Sequence, residues 1–194
     1  MPLSTWQALG TGDVLGFLRA DLKQARYRVW IIGPWIDAFF AEFVVGTLPS
    51  GVELRVVTRP EGGANSGFAE HALAARAHFE SRPITLVKLL PRLHAKVVVV
   101  DEETAYCGSA NWYRYSLEES REIVFRGPTE SVSGLLDEIQ VIWDQATNEP
   151  MQEKSINTTA ISQGYEEEVI DPVVAAKLTE VPGAFLIKRR PRSR

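Results

Sequence analysis

Four consecutive valines at positions 97–100 constrain the fold of this chain more than any other part of its sequence. Side chains branched at the β-carbon favour extended backbone. A strand that carries apolar side chains on both of its faces must be covered on both faces. We therefore predict a central strand over residues 96–100, in a sheet with helices packed against each side.

The rest of the chain alternates between the two periodicities that distinguish helices from strands. Apolar residues at helical spacing predict helices over 13–26, 37–45, 68–81 and 131–146. Short apolar runs predict further strands over 28–32, 52–58, 84–90, 105–108 and 122–126, and a loop is predicted over 61–67. Helices alternate with strands at first, and strands then follow in succession. We therefore expect one α/β domain over residues 5–147, with a mixed β-sheet flanked by helices on both faces.

Composition excludes several classes of protein. A length of 194 residues suits one domain with a buried core. The single cysteine excludes an intrachain disulfide framework and a multi-cysteine metal cluster, and we expect neither a metal nor another cofactor. No apolar run approaches the roughly 18 residues that cross a bilayer, and the first residues do not resemble a secretory signal, so we expect a cytoplasmic protein. The net charge of −4 argues against a strongly basic protein that coats nucleic acid.

Residues 148–194 have a weaker pattern, and we expect them to form a linker and a C-terminal arm. The last seven residues, 188–194, hold five positive charges. This basic end fits a phosphate backbone, an acidic partner or a membrane surface, and it equally fits a solvated terminus. The arm is also a candidate segment for docking a partner protein.

Several polar residues of the kinds found in active sites flank the central strand in the sequence. His94, Lys96 and Asp101 form the pattern HxKx4D, and Ser109 and Asn111 follow in GSxN. Side chains alternate faces along a strand, so His94 and Lys96 share a face. Ser109 and Asn111 share one if their strand extends that far. Asp101 has the opposite parity to His94, which predicts an orienting or structural role for it.

These residue types suit a phosphoryl group. Lys96 supplies a point charge for phosphate oxygens, and the hydroxyl of Ser109 and the amide of Asn111 supply neutral donors. Such donors stabilise the charge that develops in a transition state. The imidazole of His94 can act as the nucleophile and form a covalent phosphoryl–enzyme intermediate. The pattern therefore predicts phosphoryl chemistry at this end of the sheet.

The pattern resembles the HKD motif of the phospholipase D superfamily, and every motif position is filled. The superfamily also carries an acidic residue on the following strand that hydrogen-bonds the catalytic histidine. Glu122 fits that position best, with Glu118 and Glu119 as alternatives. A carboxylate there would fix the tautomer of His94 and raise its basicity.

The resemblance implies a two-step phosphodiester chemistry without metal, in which two histidines act. The chain has one copy of the motif, and His71 and His78 begin no HxK pattern and are expected to have ordinary roles on a helix. The second catalytic histidine would then come from a second copy of the chain in a homodimer. In size the chain is similar to the small dimeric bacterial endonucleases of this superfamily.

Four further residues are candidates for contact with substrate. Trp35 and Arg59 follow predicted strands, where ligands bind in open α/β sheets. Trp112 follows GSxN and fits two roles, stacking on a base or packing under the loop. Arg114 is a candidate for holding a flanking phosphate.

Three functions fit these features. The first is a metal-independent nuclease acting on DNA more than on RNA, as a subunit of a restriction or anti-phage defence system. The second is a phospholipase D or phosphatidyltransferase acting on lipid headgroups. The third is a binding subunit without catalysis, which the intact motif disfavours.

Overall fold

The computed structural model of the chain describes residues 5–60 and 69–148, so the loop predicted over 61–67 and the arm from residue 149 onward lie outside the described residues. The strands are β1 (Gln7–Gly10), β2 (Arg28–Ile32), β3 (Glu53–Thr58), β4 (Thr85–Leu89), β5 (Val97–Val100), β6 (Thr104–Gly108) and β7 (Ile123–Pro128). The helices are α1 (Val14–Gln24), α2 (Ala38–Thr47), α3 (Ala69–Glu80), α4 (Arg114–Glu118) and α5 (Leu135–Gln145), with a 3-10 turn at Thr129–Ser131.

The strands form one mixed sheet in the order β1-β7-β6-β5-β2-β3-β4. Strands β2, β3 and β4 are parallel, as expected of strands joined by helical crossovers. Strand β5 is antiparallel to β2, and β6, β7 and β1 continue the antiparallel half. The valine strand β5 is thus the fourth of seven strands, at the centre of the sheet as predicted.

Helices cover both faces of the sheet, as its central valine strand requires. On one face, helices α1, α2 and α3 pack against alternate strand residues that include Ile31 and Val98. On the other face, α5 packs against Trp30 and Val99. The Trp30 ring meets Trp143 of α5 edge to face, with ring centroids 5.4 Å apart. The fold class predicted from the sequence is therefore confirmed.

Several elements differ from the sequence-based expectation. Strand β1 and helix α4 have no predicted counterpart, and the helix predicted over 131–146 begins only at Leu135. The strand predicted over 96–100 begins at Val97, so His94 and Lys96 lie in the segment that precedes it. Strand β6 ends at Gly108. Strand alternation therefore orients neither the pair His94 and Lys96 nor the pair Ser109 and Asn111. The geometry of the two loops sets where these side chains point.

Candidate active site

The topology brings the motif residues to one edge of the sheet. Because β2 and β3 are parallel, their carboxyl ends lie side by side, and these ends lead to Trp35 and Arg59. Because β5 is antiparallel to β2, its amino end and Lys96 lie at the same edge. The carboxyl end of β6 and the amino end of β7 follow for the same reason, and they deliver Ser109 and Glu122. We refer to this edge as the motif edge.

The segment that carries His94 is fixed by its neighbours. Leu93 is buried, and its carbonyl oxygen accepts a hydrogen bond of 2.6 Å from Nε of Arg59. Nζ of Lys96 donates to the carbonyl oxygen of His94 at 3.0 Å. The His94 side chain itself is exposed at the motif edge. The segment therefore presents an accessible imidazole on a backbone that two cations hold.

Lys96 and Arg59 place two positive charges close together. Partial burial lowers the pKa of Lys96, the Arg59 charge lowers it further, and the Glu122 carboxylate opposes both effects. The guanidinium of Arg59 lies over the Trp35 ring, 5.3 Å from its centroid, which fixes its position. Two neighbouring cations at an open edge favour an anion there.

The loop after β6 reaches the site because glycine permits it. A β-carbon at Gly108 would overlap the carbonyl oxygen of Ile123, so only glycine fits this approach of β6 to β7. The next residue, Ser109, accepts a hydrogen bond from the Ile123 amide at 3.2 Å and donates its hydroxyl proton to Glu122. In this arrangement the single hydroxyl proton of Ser109 serves Glu122 and not a phosphate.

Glu122 is held by three serine hydroxyls. Besides Ser109, Ser116 donates to its carboxylate at 2.9 Å and Ser120 at 3.3 Å. Burial alone would raise the pKa of Glu122, but the three hydroxyl donors and the Lys96 charge outweigh it and lower that pKa. Glu122 therefore stands in the site as a carboxylate.

The expected hydrogen bond from His94 to Glu122 is not among the contacts of the part of the chain that the structure describes. Glu118 and Glu119, the alternatives to Glu122, are both exposed, and Glu118 lies 3.7 Å from Arg114. Of the three carboxylates, Glu122 is the one whose charge acts on Lys96.

Asn111 completes the site. Its backbone amide donates to the Ser116 hydroxyl at 3.1 Å, which fixes the loop. Its side-chain oxygen is buried and accepts no hydrogen bond within residues 5–60 and 69–148. That oxygen can only accept, so the donor that the sequence predicts for a phosphate is the side-chain NH2 group of Asn111.

Asp101 lies at the opposite end of β5 from His94, so the structure does not bring these two motif residues together. Its carboxylate accepts hydrogen bonds from three consecutive amides, those of Arg26 at 2.8 Å, Tyr27 at 2.8 Å and Arg28 at 3.1 Å. These contacts fasten the start of β2 to the end of β5. They give Asp101 a structural role, whereas the strand parity that predicted such a role does not extend to His94, which lies before β5.

The remaining substrate candidates divide into rim and core. Trp35 is partly exposed, and Arg114 lies on the exposed face of α4 with its guanidinium 4.4 Å from the centroid of the Phe39 ring. Trp112, in contrast, is fully buried, and its ring stacks on Phe40 at 5.3 Å between centroids. Of the two roles that the sequence leaves open for Trp112, the structure shows packing under the loop.

Sequence reasoning did not identify the hydroxyl residues around Glu122. Ser116 and Ser120 belong to a short segment without clear periodicity, and Thr11 lies more than a hundred residues away. Thr11 accepts a hydrogen bond from the Glu122 amide at 3.0 Å and donates to the Ser120 carbonyl oxygen. The sequence signal that points to these hydroxyl residues is the high density of serine near Glu122.

Within the described ranges, no group of three histidine, cysteine, aspartate or glutamate side chains is placed to hold a metal ion. No helix in the same ranges is long and apolar enough to cross a bilayer.

A family model described as "Cardiolipin synthase, PLD-like domain" matches residues 18–143, which is more than half of the chain. The chain belongs to the phospholipase D-like family. Members of this family act on phosphodiester bonds, the class of bond that the motif predicts, and the resemblance found in the sequence is confirmed.

The chain is also similar in sequence to a larger member of the family. Cardiolipin synthase A of Pseudomonas putida is 33% identical to this phospholipase D-like chain over 153 residues, which cover 68% of this chain and 30% of that protein. This chain therefore spans less than a third of the length of that relative.

Solved structures confirm the fold. NucT from Helicobacter pylori superposes with a TM-score of 0.60 at 18% identity, over 74% of this phospholipase D-like chain and 99% of its own. Nuc from Salmonella typhimurium, a phospholipase D family member, superposes with a TM-score of 0.59 at 16% identity, over 73% of this chain and 95% of its own.

Proposed function

We propose that this phospholipase D-like chain is a phosphodiesterase that cleaves nucleic acid, DNA in preference to RNA, at a site that a second copy of the chain completes. The observation that carries the proposal is the meeting of His94, Lys96, Asn111 and Glu122 at one edge of the sheet, beside the guanidinium of Arg59. This set provides a nucleophile, two cations, an amide and a carboxylate at one edge of the sheet.

In the proposed reaction, a ring nitrogen of His94 attacks phosphorus, and the bond from phosphorus to the leaving oxygen breaks. The leaving oxygen takes a proton from the imidazole of the second copy. That imidazole then removes a proton from water, which attacks the phosphohistidine and restores His94. Lys96 and the Asn111 amide stabilise the negative charge that builds on the phosphoryl oxygens. None of these steps requires a metal ion.

Support for nucleic acid as substrate comes from the extent of the structural likeness and from the rim of the site. The likeness covers 99% of NucT and 95% of Nuc, so the fold of this chain has the extent of theirs. Trp35 and Arg59 form a cation–aromatic pair at the rim. An aromatic face beside a guanidinium suits a base and its phosphate.

The test is cleavage of plasmid DNA and of single-stranded RNA by the full chain in EDTA. We expect the wild type to cleave DNA faster than RNA, and His94→Ala to lose activity by on the order of a thousandfold or more. His71→Asn is the matched control, because it removes an exposed imidazole on α3 and is expected to keep full activity. Failure of the wild type to cleave either nucleic acid would contradict the proposal.

The 33% identity to cardiolipin synthase A favours a second candidate, phosphatidyl transfer between lipid headgroups. Its test uses the same variants with vesicles of phosphatidylglycerol or phosphatidylcholine. Cardiolipin or free choline formed by the wild type and not by His94→Ala, without cleavage of nucleic acid, would replace the nuclease proposal. Binding of DNA without either activity would support the non-catalytic alternative.

The proposal also covers assembly. A net charge of −4 does not favour binding of DNA over the whole surface. We therefore propose that the chain works as a subunit of a restriction or anti-phage system, with residues 148–194 docking the protein that delivers DNA. Deleting residues 148–194 is expected to leave cleavage of short oligonucleotides intact and to abolish co-purification with that partner.

A further inference from the structure

Ser116 connects two parts of the site. Its side chain is fully buried in α4, between the loop that carries Asn111 and the start of β7. Its hydroxyl oxygen accepts a hydrogen bond from the backbone amide of Asn111 at 3.1 Å and donates its proton to the Glu122 carboxylate at 2.9 Å. One hydroxyl group thus fixes the loop of the predicted phosphate donor and the carboxylate of the site.

We propose that Ser116 is a positioning residue for the phosphodiesterase reaction, which fixes the loop of Asn111, through its backbone amide, relative to the Glu122 carboxylate. The proposal rests on the proposed function of the site and adds to it a residue outside the HKD pattern. Ser116 lies behind Asn111 and Glu122 and is completely shielded from solvent, so it acts through them without touching the substrate.

The chemistry of the position requires a hydroxyl. A serine hydroxyl has one proton to donate and lone pairs to accept, and here it uses both capacities. Alanine would leave the partly buried backbone amide of Asn111 without its acceptor and would remove one donor from Glu122. Leaving a buried polar group unpaired is more costly than the mean value of a hydrogen bond, so the loop is expected to shift when the hydroxyl is removed.

The surroundings of Glu122 make the contribution of Ser116 measurable. From the segment before β5, Lys96 faces Glu122 with a positive charge. The groups that face it from the end of β6, from α4 and from the turn after α4 are the uncharged hydroxyls of Ser109, Ser116 and Ser120. The Ser120 bond to the same carboxylate oxygen is 3.3 Å long, which makes Ser120 a weaker donor than Ser116.

The experiment compares the full-length wild type with Ser116→Ala, Ser116→Thr and Ser120→Ala. For each, kcat and KM for DNA cleavage are measured against pH, and the Glu122 carboxyl is titrated by carbon-13 NMR, with Glu122→Gln assigning the signal. We expect Ser116→Ala to lower kcat by about tenfold with KM within about twofold. In this variant the pH at which kcat falls on the acidic side (the acidic limb) and the NMR titration midpoint of Glu122 should both rise. The reason is that the charged form of Glu122 has lost a hydrogen-bond donor.

The other variants separate positioning from stability. Ser116→Thr keeps the hydroxyl and should restore both the midpoint and most of kcat. Ser120→Ala should raise the midpoint by less than Ser116→Ala, and it carries the test if Ser116→Ala does not fold. Thr129→Val is the matched control, because it removes a buried hydroxyl that donates to the Glu102 carbonyl oxygen at the opposite edge. It should lower the melting temperature without moving the Glu122 midpoint.

An unchanged midpoint and acidic limb in Ser116→Ala, with a loss of activity that only follows its melting temperature, would overturn the proposal. The NMR titration needs no substrate. A wild type that cleaves neither DNA nor RNA would therefore refute the nuclease function, while the midpoint would still decide whether Ser116 positions Glu122.

Discussion

The indole of Trp112 lies directly against the backbone of Gly33, where an added β-carbon would collide with Cδ1 of the ring. Nε1 of the same indole donates to the carbonyl oxygen of Ile32 at 2.8 Å. The backbone of Trp112 also pairs with that of Ile36 through an isolated bridge. Trp112 therefore anchors the loop that follows β6 to the end of β2, and this contact requires glycine at position 33.

Gly33→Ala should destabilise the fold. The added methyl group would collide with a buried ring that stacks on Phe40, so the free energy of unfolding should fall by about 2 kcal/mol, a typical cost of overpacking. Gly46→Ala is the matched control, because the residue is in α2 and a methyl group added there would meet no neighbouring side chain within 4 Å. It should stabilise the fold by about 0.5 kcal/mol. Urea unfolding measures both, and equal effects would contradict the packing argument.

Asp101→Ala should separate stability from catalysis. It removes the acceptor of three amide hydrogen bonds at the start of β2, so we expect a loss of about 2 kcal/mol in the free energy of unfolding. Because Asp101 lies at the edge opposite His94, kcat of the folded protein should stay within about twofold of wild type. Glu103→Ala, at an exposed neighbouring position, is the control for both quantities. A large fall in kcat at full folding would show a catalytic role for Asp101.

The sequence predicted the elements whose periodicity is intrinsic and missed those that depend on distant partners. Strand β2 has the bounds predicted, because its apolar run ends at a glycine and a proline. Helix α4 has five residues, and its first amide, at Arg114, is capped by the Asp37 carboxylate 77 positions away. Among the described residues, β1 is a short edge strand that pairs with β7 alone. No local pattern encodes such pairings.

The candidate site also has some features that the sequence predicts and others that depend on distant partners. The HxKx4D spacing made His94 and Lys96 candidates, and Glu122, which the family resemblance suggested, lies near Lys96. Spacing could not show that Trp112 is buried, because an aromatic residue after a motif fits both a core and a binding surface. It also could not show that the proton of Ser109 is committed to Glu122, because hydroxyl partners are set by loop packing.

Arg126→Met should be among the most destabilising changes at the edge opposite the site. Arg126 makes two hydrogen bonds to Asp21, at 2.8 and 2.7 Å, with only 11% and 16% of the two side chains exposed. Burial and the neighbouring Asp21 raise the pKa of Tyr106, so its phenol remains a donor to that carboxylate. Removing the cation leaves a largely buried carboxylate, at a cost of about 3 kcal/mol.

The control for Arg126→Met is Arg76→Met, which removes an ion pair at helical i,i+4 spacing with Glu80, whose side chain is half exposed. Pairs of this kind contribute about 0.3–0.5 kcal/mol. Thermal unfolding should therefore rank the two variants far apart, and similar melting temperatures would show that the buried pair adds little.

Glu53 should make stability depend on pH in a defined direction. Burial raises its pKa, but hydrogen bonds from Arg28 at 2.7 Å and Arg55 at 2.8 Å outweigh this and lower it below its ordinary value of 4.5. A lowered folded-state pKa adds stability that is present above pH 4.5 and is lost as pH falls through the folded-state value. Glu53→Gln should therefore be less stable than wild type at about pH 6, with the gap narrowing toward about pH 3. A gap independent of pH would contradict the ion-pair assignment.

Mixed dimers test whether one active site uses two copies of His94. If both imidazoles act on the same phosphodiester, a dimer of one wild-type chain and one His94→Asn chain has no complete site. Differently tagged chains allow this heterodimer to be isolated, and its cleavage of plasmid DNA should fall to a few per cent of the wild-type dimer. A heterodimer with His71→Asn, the exposed imidazole of α3, should keep full activity. Independent sites would leave the His94 heterodimer with about half of the activity, and that result would refute the shared site while leaving His94 as the nucleophile of each.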